Sequence, residues 1–372
     1  MESLSASEIG AFSSKTAENK NRPLHQTSAV VLSAFLNISY YVGFSPIKIK
    51  QLHDGTVAIS GHPVQKGLCM LLIIATNVIR FAEVRKRLPK SEIEWNPLFY
   101  VKCLSGIINL IFNLSASYAL FKKSEQIQKL SNFLNTSNIL PKPVGRIQKA
   151  VWICCLLTIG EILLGTVLSL VDMKVISMDG LQLTFTEWVW CMKEEANLVL
   201  RSDFVLCNNG TSEVNQHEMF ATDYGLAIVL CVSKLFRHIH GYIGEHFLLI
   251  GVVCLWLPAS GFCTMIRRSY ETPNVSFLSQ FEILQEKQSS LKHLSKLIND
   301  VFGSMMFWFI NASIMYFSCN LDALVITNNA FVKVRLSTFY VSAALTFQLA
   351  ADIPHKVVSS FQDLSCLLSF KN

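Results

Sequence analysis

Long apolar runs recur along this chain, and none shows the strict alternation of a half-buried strand. The clearest is Val301 to Leu321, 21 residues without a charge, which follows directly on a polar segment carrying Lys296, Asn299 and Asp300. A helix that crosses about 30 Å of hydrocarbon needs roughly 20 mainly apolar residues, and this run meets that length. Five further stretches qualify: Gly67 to Ala82, Pro97 to Phe121, Ala150 to Val171, His246 to Ile266 and Leu336 to Ala351. Only a helix satisfies its backbone groups within a single crossing segment. The pattern therefore predicts an all-α, polytopic membrane protein with six to seven transmembrane helices.

One stretch is ambiguous. His25 to Ile47 is apolar enough to cross, yet Asn37, Ser39, Gly43, Ser45 and Pro46 crowd its second half. It reads equally well as a span or as a buried or interfacial helix. Residues 1–27 form a polar, Ser-rich segment with the composition of disorder. The expected divisions are a disordered 1–27, a membrane-associated helical region 28–65, a transmembrane domain 66–353 and a C-terminal segment 354–372.

The lead-in to Val301 has its own pattern. From Phe277 its apolar positions are Phe277, Phe281, Leu284, Leu291, Leu294, Ile298 and Phe302, in phase with the run that follows. This is one helical stripe, so the membrane helix is expected to project into the cytosol with an apolar seam to bury. Leu284, Leu291, Leu294 and Ile298 would pack either on their own subunit or against its neighbours in an assembly. Ile127, Leu130 and Leu134 form a shorter version.

Composition supports the membrane reading. Only 16% of residues are charged, against about 25% in an ordinary soluble protein. The net charge of +6 is spread along the chain, which argues against nucleic acid as a partner and for lipid headgroups. Lys122 to Lys149 holds six Lys/Arg and one acid and is expected in the cytosol. Residues 172–222 then fall outside, with eight acids against three bases. That loop carries a glycosylation candidate at Asn209 and a disulfide candidate in Cys191 and Cys207. Residues 83–97 disagree, being expected outside yet holding Arg85, Lys86, Arg87 and Lys90.

Candidate chemistry is sparse. Glu161 is an ionisable residue inside a span, a functional position by default. Tyr100, His246 and Tyr316 lie near expected outer ends, where they could line a ligand pocket or form an interfacial aromatic belt. Asn109 and Asn113, one turn apart, could hydrogen-bond a neighbouring helix, and Trp256 reads as packing. His238 and His240 are too few to make a metal site. No cofactor or metal site is expected, and no hydrolase elbow, zinc helix or phosphate loop marks an enzyme.

Three groups of residues resemble the arthropod gustatory receptors. His293 to Phe317, "HLSKLINDVFGSMMFWFINASIMYF", is similar to their junction between a cytosolic helix and a span. Tyr40 to Pro46, "YYVGFSP", resembles their Gly-x-x-Pro stretch before the first span, and Ile127 to Asn135, "IQKLSNFLN", their first cytosolic loop. The resemblance implies a cytosolic N-terminus and tetrameric ligand-gated cation channels, homomeric or heteromeric. It implies a small-molecule tastant bound among the outer halves of the helices, and residence in the plasma membrane. It makes His25 to Ile47 a non-crossing segment and Gly67 to Ala82 the first of six spans. The family's seventh, pore-lining helix would then be absent, as expected of a truncated gene model or a nonconducting relative. A G-protein-coupled receptor and a small-molecule transporter are the rival readings.

Overall fold

The computed structural model describes residues 26–52, 56–86, 97–136, 221–271, 277–326 and 330–370, with scattered helical residues between 156 and 170 and Val189. Seven helices and one hairpin are defined in these segments. They are α1 (Gln26–Tyr41), β1 (Lys48–Gln51), β2 (Val57–Ser60), α2 (Pro63–Lys86), α3 (Pro97–Lys122), α4 (Ser124–Thr136), α5 (Ala221–Glu271), α6 (Phe277–Ile326) and α7 (Ala330–Phe370). The protein is an all-α polytopic membrane protein: α3, α5, α6 and α7 each hold a segment long and apolar enough to cross a bilayer, and α2 has a shorter one.

α5 and α6 have 51 and 50 residues and α7 has 41. At 1.5 Å per residue they run to about 75, 75 and 60 Å, far beyond the hydrocarbon thickness. One junction ties α6 to the bend between α3 and α4. Where α3 bends into α4, the Lys123 Nζ donates to the backbone oxygens of Asp300 and Val301 at 2.5 and 3.2 Å. The charge-free run of α6 begins at that point.

Below the junction lies a layer of helices with polar outer faces. Ala259, Phe262 and Ile266 of α5 pack with Leu284 and Leu291 of α6, and Ile353 of α7 closes the cluster. Leu294 and Ile298 share the main core with Ile127, Leu130 and Leu134 of α4. Half of the apolar run His246–Ile266 therefore packs on the part of α6 that precedes its own charge-free run. The apolar segment Ile239–Arg267 is 72% buried inside the protein, against 39% for that of α3 and 22% for that of α7. Its apolar character serves protein packing more than contact with lipid.

α1 sits at the same level. It stops because Gly43 adopts a left-handed φ of 88°, the usual device for ending a helix. The Phe44 and Ser45 amides then donate back to the Ser39 carbonyl. Phe35 stacks on Phe247 of α5 at 5.8 Å, and Phe247 meets Phe302 of α6 at 4.7 Å. The hairpin β1–β2 pairs Lys48 with Ser60 and Gln51 with Val57. Side-chain amides satisfy parts of its edges. Asn37 of α1 bonds both the NH and the CO of Ile49, while Asn132 and Gln128 of α4 bond the NH and CO of Val57.

α5 and α6 cross where a side chain on Gly251 would have no room. A β-carbon there would stand 2.8 Å from the Phe302 ring. Gly251→Val should cost about 1–3 kcal/mol as overpacking. The expected outcome is a lower thermal midpoint of the purified protein in detergent, while valine at the open Gly67 leaves it nearly unchanged.

Candidate functional site

The face of α6 above the junction carries Phe302, Phe309 and Tyr316 at intervals of seven, which keeps them on one side of a helix. Phe112 of α3 lies 5.4 Å from Phe309. On α7, Phe339 and Phe347 approach Phe309 at 6.4 and 5.5 Å. Farther from the junction, Tyr316 meets Phe339 at 4.2 Å and Tyr340 at 5.8 Å, and Phe317 meets Tyr340 at 4.2 Å. The result is an aromatic seam between α6 and α7.

Hydroxyl groups interrupt this seam. Ser313, between Phe309 and Tyr316 on α6, is 0% exposed, and Ser342 of α7 is also buried. The Ser313 and Ser342 Oγ atoms and the Tyr340 hydroxyl have no hydrogen-bond partner among the described residues. Burying a hydroxyl without a partner costs about 1–3 kcal/mol, so each is a position for a water or a ligand's polar group. Aromatic walls that carry a few unpartnered hydroxyls suit a small amphipathic molecule.

A second polar group lies between α3 and α5. Ser117 Oγ is 3.1 Å from His240 Nε2, and the His240 ring lies 6.0 Å from Phe44. Asn113 does not reach across to another helix as anticipated; its amide nitrogen donates to the carbonyl and the side-chain oxygen of Asn109 one turn earlier. His240 thus joins a helix-packing contact, and no group of three metal-ligating side chains occurs among the described residues.

The sequence-derived candidates separate. Tyr316 stands in the aromatic seam, and Tyr100 is exposed near the start of α3. His246 is 1% exposed, one residue from the Phe247–Phe302 contact, with its Nδ1 2.8 Å from the Tyr242 carbonyl oxygen. α5 begins at Ala221, well ahead of this residue, so His246 lies near the middle of the helix. Leu284, Leu291, Leu294 and Ile298 are covered by the same chain, so a neighbouring subunit would meet other positions of α6. Glu161, Cys191, Cys207 and Asn209 lie outside the described residues.

Sequence reasoning also missed a polar contact. Trp256 Nε1 donates to Asp352 Oδ2 at 2.6 Å, joining α5 to α7. Trp256 is therefore more than packing. Ser313, Phe339 and Ser342 were missed as well; the only available signal was their helical spacing, which any packed helix shares.

No family model and no curated protein matches this chain. Among solved structures, it is similar to the insect olfactory receptor OR5 from Machilis hrabei, with a TM-score of 0.48 and 10% identity over 89% of this chain and 80% of that one. The same receptor in complex with eugenol gives a TM-score of 0.45 and 13% identity, over 86% and 77% of the two chains.

Trp256→Phe keeps the ring but removes a charge-assisted hydrogen bond of about 1.5–3 kcal/mol. Its effect on thermal stability should largely vanish in an Asp352→Leu background. A double-mutant cycle measures this coupling.

Proposed function

We propose that this chain is a gustatory-type chemoreceptor, a subunit of a ligand-gated cation channel opened by small-molecule tastants. The observation that carries the reading is the continuity of α5, α6 and α7 from an aromatic, hydroxyl-bearing upper seam into a close-packed layer beyond the membrane junction. Such helices act as levers. A ligand wedged between α6 and α7 above the junction alters their packing below it, where subunits of a channel would meet. It favours opening by as much as it binds the open state better than the closed one. The resemblance of His293–Phe317 to gustatory receptors supports the same class, and Lys123 grips this stretch at its change from polar to apolar.

In this reading the lower layer and the N-terminus are cytosolic, as the six Lys/Arg of Lys122–Lys149 favour. α5 crosses the membrane mainly through residues before Gly251. The ligand contacts are Tyr316, Ser313, Phe339 and Ser342, and Tyr100 and Glu161 are further candidates. His246, at the α5–α6 crossing, is about 20 Å along α6 from Tyr316 and takes no part. Cys191 and Cys207 form an extracellular disulfide, and Asn209 accepts a glycan. The subunit works in the plasma membrane, as a tetramer with like or related chains.

The test is whole-cell recording from cells expressing the full chain, alone and with related receptor subunits, challenged with a panel of tastants. Cation currents that persist with GDP-β-S in the pipette are expected. Tyr316→Ala should raise the half-maximal ligand concentration by up to about tenfold, the worth of roughly 1.4 kcal/mol in lost aromatic contact. Responses abolished by GDP-β-S, or ligand uptake without current, would overturn the proposal.

A further inference from the structure

The turn that joins α1, the hairpin and α2 gathers basic and aromatic side chains at one corner of the molecule. At the start of β1, Ile47 just before the strand and Ile49 within it are buried, while Lys48 and Lys50 alternate with them, the first half-buried and the second exposed. Lys48 pairs across the hairpin with Ser60. Next to Ser60, the Lys66 side chain lies across Gly61, its Cε 3.1 Å from where a β-carbon would stand. The Lys48 ammonium lies over the rings of Tyr40 and Tyr41, 5.6 and 5.8 Å from their centroids. Gln65 of α2 fixes the corner by donating to the Tyr40 carbonyl at 2.7 Å.

This corner borders an apolar surface. Tyr41 is 75% exposed, and Val64, Leu68, Leu71, Ile74 and Val78 make an exposed row along α2. The row has the character of a lipid-facing side, and the lysines stand where it begins. From Gln26 to Phe81 the sequence holds Lys48, Lys50, Lys66 and Arg80 against a single acid, Asp54. A basic cluster with tyrosines at the edge of an apolar helix face matches a headgroup layer on its charged side and acyl chains on its apolar side.

We propose that Lys48, Lys50 and Lys66, with Tyr40 and Tyr41, form a docking surface for anionic phospholipid headgroups of the leaflet that borders the hairpin. The occupant is lipid, because charge and apolar row are continuous and a soluble anion would use only the lysines. In the orientation proposed above, that leaflet is cytosolic. The contact itself does not depend on what gates the receptor. A filled surface clamps the α1–hairpin corner to the start of α2, and so joins the base of the molecule to the membrane.

The experiment uses the purified full chain in neutral detergent and follows its thermal midpoint by tryptophan fluorescence. Added are dioleoylphosphatidylserine, dioleoylphosphatidylcholine or inorganic phosphate. Phosphatidylserine should raise the midpoint, phosphatidylcholine and phosphate should not, and the rise should shrink with added salt. A combined Lys48→Gln, Lys50→Gln, Lys66→Gln variant should lose the response, with apparent affinity falling about fivefold per lysine removed. Lys292→Gln with Lys296→Gln on α6 should keep it. Should the triple variant not fold, Lys50→Gln and Lys66→Gln singly are each expected to weaken the response, and Lys66→Arg to preserve it. An equal response to both lipids, a response to phosphate alone, or an unchanged response in the lysine variants overturns the proposal. Loss of ligand-evoked current leaves these readouts untouched, so failure here and failure of the channel reading are distinguishable.

Discussion

The packing of Phe302 against Gly251 is the constraint on which the arrangement rests. The α5 backbone passes so close to the ring that a β-carbon would stand 2.8 Å away, and this fixes how far each long helix extends on either side of the crossing. Phe247 contacts the same ring and stacks on Phe35 in turn. The N-terminal α1 and the consecutive helices α5 and α6 are thereby held by successive aromatic contacts. Lys123 completes the level by holding the carbonyls of Asp300 and Val301. The upper seam and the lower layer are two halves of the same helices, separated at this level.

Hydropathy reads the molecule well where lipid and core make different demands, and poorly where they make the same one. The charge-free run from Val301 and the phase of Leu284, Leu291, Leu294 and Ile298 could both be read directly, because a helix repeating every 3.6 residues leaves that mark. The run from His246 to Ile266 lies within the apolar segment Ile239–Arg267, but hydropathy does not reveal how much of it packs on protein. A helix buried by its neighbours and one facing acyl chains are equally apolar, and only the packing of Phe262 and Ile266 on Leu284 and Leu291 tells them apart. The hairpin was missed although Ile47, Lys48, Ile49 and Lys50 alternate, since four residues are too few to stand out.

The candidate site was less legible than the fold. Tyr316 was visible as an aromatic near a span's end, but Phe339, Ser313 and Ser342 gain meaning only when α6 and α7 lie side by side. The Trp256–Asp352 bond joins residues 96 positions apart, and no local pattern announces such a partner. Asn113 shows the converse: the amide nitrogen of a polar residue in a span donates one turn back rather than reaching across.

In the proposed orientation the layer below the Lys123 junction, with α1 and the hairpin, lies in the cytosol while the aromatic seam faces the other side. An epitope tag placed before Ser28, stained in intact and then permeabilised cells with the protein shown to be at the surface, tests it most directly. The account predicts staining only after permeabilisation. Staining of intact cells would place α1 and the base of the bundle outside, contradict the inverted orientation, and favour a G-protein-coupled receptor.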